Sequence, residues 1–385
     1  MFRYWLVILI IGMSAGYLFA AAGDEHTFEL KWQQHGESYR LSEPLDRNAA
    51  FDKEPEFSQN GIFRGALSYL GQTNGNTEVG FIWDKSKGRL YVDLNRDGDL
   101  TNDSNGVLEN EGNQREDCQI FPAFPLSFST QSGILRYQVK ANMQGYDWFK
   151  RADFTILSGY SGKIDLYGRQ WHFGVNDNFK GIVRRGSRLS VNPTKKDATN
   201  FISSLSAPKS LFLDGRCYDM AFEFRKSDSG YPALWCRLTE KTVSTGKLRI
   251  ESKWVNQLVL GDDEILILPE PVDGVVIAPS GDFTVKQCNL KYDKKKPAIS
   301  PTRLNEIKAA VSEAGESILR IGGPLNHQVK IRRVGRVLKF DYELVGAGGE
   351  QYDAQQITNY DNNKKPSVAI YKGDMQVGSG SFEYG

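Results

Sequence analysis

Hydrophobic and polar residues alternate along most of this chain, in short runs broken by Gly, Asp, Asn and Ser. A two-residue period places alternate side chains on opposite faces of a strand, so the pattern predicts β-structure nearly throughout. Residues 27–32 and 39–41 alternate in this way. Residues 79–83 and 89–93 flank Asp84-Lys85-Ser86-Lys87-Gly88 and predict a hairpin. Residues 163–166 and 171–175 flank Tyr167-Gly168-Arg169 and predict a second. Residues 210–213 run through Asp214-Gly215, a strong two-residue turn signal, into 217–224. Residues 233–238 then return across a turn-rich stretch at 226–230.

From Gly246 the units shorten to 247–251, 254–260, 264–268, 275–278 and 283–290, a β-sandwich spacing. One helix is predicted over 302–314. Leu304, Ile307 and Val311 recur at helical spacing, Ser300-Pro301 precedes them and Gly315 follows. Strand patterns return at 329–334, 337–344, 367–371 and 380–384, with Gly346-Ala347-Gly348-Gly349 read as a flexible turn.

The expected fold is therefore mainly β, built of antiparallel β-sandwich modules with one short helix. Residues 24–240 are expected to form a larger β domain and 241–296 a small β module. Residues 297–316 are expected to be a linker and helix, and 317–385 an immunoglobulin-like β-sandwich.

Composition agrees with a folded chain. Of 385 residues, 40% are apolar and 25% charged, and at roughly 100–200 residues per domain two or three domains are expected. The 38 Gly, 21 Phe and 17 Tyr against 14 Pro suit strands joined by tight turns.

Residues 1–22 read as a cleaved secretory signal peptide, with an uncleaved N-terminal anchor as the alternative reading. Arg3 gives a positive start, an uncharged apolar stretch follows, and Ala20-Ala21-Ala22 has the small-residue cleavage pattern. Its removal takes away one charge and leaves 47 Lys+Arg against 47 Asp+Glu. A balanced chain lacks the basic surplus a nucleic-acid binder needs, and gives no reason to expect electrostatic docking to anionic lipid. No segment after the signal is apolar enough to span a bilayer. The expected location is periplasmic, cell-surface or extracellular.

Four Cys remain, Cys118, Cys217, Cys236 and Cys288. Cys217 and Cys236 flank one predicted hairpin, so a cross-strand disulfide and two buried thiols are both open readings. No C-x-x-C exists, which removes a zinc ribbon or thioredoxin motif.

The chemistry-bearing stretch is residues 93–103. Asp93, Asn95, Asp97, Asp99 and Asp103 place oxygen side chains at mostly alternating positions, Gly98 permits a sharp bend, and Leu100 can tuck into a core. A hard cation takes six to eight oxygen ligands at ~2.3–2.6 Å, and carboxylates that converge without one repel. Ca²⁺ in a structural role is the expected cofactor, with Asp93, Asn95, Asp97, Asp99 and Asp103 as candidate ligands.

This stretch resembles the calcium loops of the EF-hand and dockerin families, D-x-[DN]-x-[DN]-G. The resemblance implies side-chain ligation by Asp93, Asn95 and Asp97, a backbone carbonyl from Asp99 and a water held by Thr101. The sequence departs from that pattern at the end: Ser104 stands where the family has an acid, and Asp103 comes one residue early. The entering segment reads as a strand, so a strand-entered loop inside a β domain is expected.

Catalytic constellations fail one by one. His26, His35, His172 and His327 show no ligand spacing, and no G-x-S-x-G occurs. The acids Glu109, Glu111, Asp117, Asp147 and Asp165 are open candidates for a two-carboxylate glycoside hydrolase. Trp148, in Gly145-Tyr146-Asp147-Trp148-Phe149, is the best loop-borne aromatic for stacking on a sugar.

Gly323-Pro324-Leu325, Gly346-Ala347-Gly348-Gly349-Glu350 with Tyr352, and the closing Gly380-Ser381-Phe382-Glu383-Tyr384-Gly385 resemble uncharacterised exported bacterial β-rich proteins carrying D-x-N-x-D-G-D calcium loops. The resemblance implies export and β architecture. The expected function is a non-catalytic, calcium-binding β protein of the cell envelope or extracellular space that binds glycan or an envelope protein. The alternative is a secreted polysaccharide-acting hydrolase.

Overall fold

A computed structural model describes residues 24–34, 38–45, 50–57, 61–69, 77–112, 115–193, 202–228, 231–270, 272–291, 298–304, 307–335, 337–353 and 367–381. The expected signal at 1–22 and His35 lie outside the described residues. Within them the chain is nearly all β, and a single 3₁₀ turn at Ser104–Gly106 is its one helical element.

Two sheets form a first sandwich. Ile62–Ser68, Glu78–Asp84, Arg89–Val92 and Val107–Glu109 make an antiparallel meander. Facing it, Gly133–Tyr146 pairs with Phe149–Ile156, Phe124–Thr130 and Cys118–Ile120, with Tyr39–Pro44 beyond. The long Gly133–Tyr146 strand shows why the pattern was readable. Leu135, Tyr137, Val139, Ala141 and Met143 all point into one core with Phe81, Trp83, Leu90 and Phe154.

A twelve-stranded sheet carries the rest. Its order runs from Ile202–Ser206 through Arg188–Pro193, Arg169–Asn176, Gly159–Leu166, Glu25–Gln33, Ala233–Lys241, Arg216–Arg225 and Ser210–Leu213. It continues through Ile265–Ile267, Val255–Gly261 and Gly281–Leu290 to Lys308–Val311. Its middle is covered on both faces. Leu211 and Leu213 face one core and Phe212 the other, and Val259 likewise opposes Leu258 and Leu260. Strands buried on both sides read as continuous apolar runs rather than alternation. The parallel pairing of Ser210–Leu213 with Ile265–Ile267 carries this sheet across residue 240.

The helix expected over 302–314 is not formed. Pro301–Arg303 and Lys308–Val311 are strands, the latter paired with Gly281–Leu290. Ile307, Ala309 and Val311 are buried while Lys308 and Ala310 are exposed, so a two-residue period underlies the helical spacing. Edge pairing to an existing sheet overrides a weak helical preference.

The strands drawn from 317–385 are shared among three sheets rather than packed as a sandwich of their own. Glu316–Gly322 runs parallel to Thr245–Lys253, with Gly274–Pro279 on the other side, and buries Leu319 and Ile321 in the larger core. Asn326–Val334, Val337–Val345 and Gln351–Tyr352 join Pro301–Arg303, while Ser367–Lys372 and Met375–Ser381 pair with each other.

The 346–349 turn is fixed rather than flexible. The Glu350 carboxylate accepts hydrogen bonds from Gly322 N, Gly348 N and the Tyr352 hydroxyl. A Cβ at Gly346 would meet Glu350 Oε1 at 2.0 Å, so glycine is required there.

All four cysteines are free thiols. Cys236 pairs with Phe222 and Cys217 with Lys241, so the two sit five positions out of register. An odd offset places them on opposite faces of the sheet, and they belong to different cores. A disulfide between them is geometrically closed.

Candidate metal centre

The Glu78–Asp84 and Arg89–Val92 hairpin delivers Asp93 to the edge of the first sandwich, where Asp93 N donates to Gly80 O at 2.9 Å. Beyond it the backbone curls through successive Asx turns. Asn95 Oδ1 accepts from Asp97 N (3.0 Å), Asp97 Oδ1 from Asp99 N (2.8 Å) and Asp99 Oδ1 from Thr101 N (2.9 Å). Short carboxylate and amide side chains fold the chain this way because they reach a backbone N–H two residues on. Gly98, at φ 81°, supplies the left-handed turn, and its N–H donates to Asp93 Oδ2 at 3.1 Å.

Residues outside the motif anchor this loop. Gly98 O accepts from Asp52 N (2.9 Å) and Lys53 N (3.3 Å), and Leu100 N donates to Lys53 O (3.1 Å). Leu100 is buried against Ile82 and Tyr91, with Phe51, Phe57 and Ile62 around them. The Lys53 ammonium reaches Asp99 Oδ2 at 2.8 Å. A Cβ at Gly98 would lie 3.3 Å from Asp52 Oδ2, which puts another carboxylate beside the bend. Asp52 and Lys53 were not foreseen, since nothing in local spacing links 52–53 to 93–103.

The five expected ligands are placed in three ways. Asp93 and Asp103 turn inward and are buried. Asn95 and Asp97 lie at the surface. Asp97 Oδ2 accepts from Asn102 Nδ2 at 2.8 Å and from Asn95 Nδ2 at 3.0 Å. Asp99 turns its carboxylate to Lys53 and to the Thr101 hydroxyl. Among the described residues, no group of three or more Asp, Glu, His or Cys side chains stands ready-made to hold a metal.

The electrostatics divide the same way. Lys53 and Thr101 pull the Asp99 carboxyl down to about 2. The Asp99 N–H and the Asn102 amide hold Asp97 below its usual range. Asp103 is raised, first by burial, then by the negative charges of Asp93 and Asp97. Asp93 Oδ1 and Asp103 Oδ2 are buried oxygens without a protein hydrogen-bond partner. Buried carboxylate oxygens are normally hydrogen-bonded or bound to a cation. An all-oxygen set with two orphaned carboxylate oxygens fits a hard divalent ion. Asp93 and Asp103, with Asn95 and Asp97, are the residues that would hold such an ion.

Of the other candidates, Asp117 and Asp147 both act on Lys85, and the rest have separate partners. Glu109 pairs with Arg89 at 2.7 Å, Glu111 with Lys140 at 2.9 Å and Asp117 with Lys85, while Asp165 caps Gly168 N at 2.7 Å. His327 Nδ1 lies 2.5 Å from the Tyr342 hydroxyl, and His26 packs edge-on against Tyr167 and Tyr218. Trp83 and Trp171 are core. Trp148 is 82% exposed at the turn between Gly133–Tyr146 and Phe149–Ile156, stacked on Tyr146 with ring centroids 5.6 Å apart at 16°. The Phe149 ring centroid lies 5.6 Å away, tilted by 33°.

No family model, no curated protein and no solved structure matches the chain. No helix among the described residues is long and apolar enough to cross a membrane.

Proposed function

We propose that this chain is an exported, non-catalytic β protein of the cell envelope or extracellular space that binds one Ca²⁺ at Asp93, Asn95, Asp97 and Asp103. The observation that carries the reading is the pair Asp93 and Asp103, whose charges interact. Both are buried, and each has a carboxylate oxygen with no partner in the protein. A cation held by both offsets their repulsion and replaces the hydration both have lost. Lys53 already holds the Asp99 carboxylate, which leaves Asp99 the backbone-carbonyl role that the resemblance implies. The ion's role is structural: the loop joins the first sandwich to residues 51–57, so metal bound there ties the two together.

The binding function falls to the sheet surfaces, and glycan is favoured over protein by Trp148. An exposed indole extended by Tyr146 presents a flat apolar surface to the face of a sugar ring. The hydrolase reading gains no support, since Glu109, Glu111 and Asp117 are each taken by a cation.

A thermal melt with Ca²⁺ and then with a chelator tests the metal. Ligand binding to the folded state alone raises stability by about 2.7 kcal/mol at a hundredfold excess over Kd. Identical melts in both conditions would refute metal binding. A glycan array, read for the parent and for Trp148→Ala, tests the partner.

A further inference from the structure

The hairpin of Asn326–Val334 and Val337–Val345 leaves the body of the protein. Every residue of its first strand is exposed, as are the first three of the second. Cross-strand register sorts its side chains: Val329, Ile331 and Arg333 stand opposite Tyr342, Phe340 and Leu338 on one face. Lys330 and Arg332 stand opposite Asp341 and Lys339 on the other. Apart from Arg333 the first face is apolar. Near its base Tyr342 packs on the core, but toward the end Ile331 is 61% exposed; on the second face, beside Arg332 and Lys339, the closing pair Val334 and Val337 is 57% and 59% exposed.

Charge is distributed along the same axis. Residues 331–340 read IRRVGRVLKF, four basic residues and no acid, although the whole chain is nearly neutral. The hairpin's two acids lie nearer its base, where Asp341 takes Arg332 at 2.7 Å and Glu343 takes Lys330 at 3.2 Å. Among the described residues, Arg333 and Lys339 have no carboxylate partner.

We propose that the end of this hairpin docks on an anionic lipid surface. Cations attract the headgroups, and the aliphatic side chains between them leave water for the acyl boundary. The interleaving selects this occupant. A soluble polyanion would engage Arg333 and Lys339 and leave Ile331, Val334, Val337 and Leu338 in water. A second copy paired antiparallel along the free edge strand about Ile331 would set Lys330 of each copy against Arg332 of the other, which like charges disfavour. The inference is independent of the calcium loop, and it places the chain against a membrane without spanning it.

The test is co-sedimentation of the full chain with vesicles of phosphatidylcholine alone and of phosphatidylcholine mixed with phosphatidylglycerol. The expected result is an excess of binding to the mixed vesicles that falls as salt rises. Arg333→Gln with Lys339→Gln should weaken that excess roughly 25-fold, at about fivefold per cation lost. Val334→Ser with Val337→Ser should also weaken it. All four residues are exposed, so circular dichroism and melting should be unchanged in both variants. Equal binding to both vesicle types would overturn the proposal, as would an excess that neither variant alters. Binding to dextran sulfate without binding to mixed vesicles would overturn it in favour of a soluble polyanion. Self-association without lipid, lost in the same variants, would overturn it in favour of a second copy.

Discussion

The Lys53 ammonium stands 2.8 Å from Asp99 Oδ2, bridging two segments 46 residues apart in sequence. Lys53 also feels the charges of Asp97 and Asp52, so it acts as a tethered cation at the outer rim of the acidic loop. A divalent ion and this ammonium draw on the same negative field. Lys53→Met should therefore raise Ca²⁺ affinity by up to about fivefold, the upper range for an exposed pair. Isothermal titration of parent and variant measures this. Weaker calcium binding in the variant would show that Lys53 organises the loop rather than competes for it.

Asp103→Asn separates the two states of the loop. Without metal the parent holds two buried carboxylates whose charges repel, and removing one charge should raise stability in chelator by about 1 kcal/mol. With Ca²⁺ the order reverses, because the variant has lost a charged ligand. Urea denaturation of both proteins in each condition reads the crossing. A variant less stable than the parent in both would show that the Asp103 charge is stabilised by something other than a metal.

Much of this fold was legible because its turns are local. Asp214 and Gly215 both take positive φ, 49° and 78°, and the strands on either side pair as the sequence implies. What was not legible depended on distant partners. Ile307 and Val311 satisfy a helical spacing and an alternating one, and the free edge of Gly281–Leu290 decides between them. The 93–103 loop announced its oxygens, but only the fold shows that Asp99 is claimed by Lys53 while Asp93 and Asp103 are left without partners. The hairpin at 326–345 read correctly as two strands. That its apolar face would stay open could not be read, since burial depends on what packs there.

The cysteines make a separate prediction. Burial pushes the Cys217 thiol up to about 11 and Cys288 up to about 12, and raises Cys236 well above its ordinary value. A thiol both buried and protonated is unreactive. Cys118 is partly exposed at the sheet edge. One thiol should react promptly with a disulfide reagent in the native protein, and the other three only on unfolding. Prompt reaction of Cys217 together with Cys236 would mean that the long sheet opens between its two cores.

Glu350 predicts the pH dependence of the C-terminal region. Its carboxyl is raised above the usual range, chiefly by burial, although Gly322 N, Gly348 N and the Tyr352 hydroxyl donate to it. The folded state therefore holds this proton more tightly than the unfolded chain. The stability it contributes is fully present below the ordinary glutamate value near 4.5 and is lost as pH rises through the folded value. Glu350→Gln removes the titration but turns an amide N–H₂ toward a backbone donor, so it should be less stable than the parent. The gap should be widest near pH 4.5 and should narrow toward pH 8. Glu350→Ala strands three donors at once and should cost about 3 kcal/mol at any pH in that window. Urea denaturation across the window decides the matter. A gap between parent and Glu350→Gln that widens with rising pH would mean that the three donors outweigh burial and the site favours the carboxylate anion.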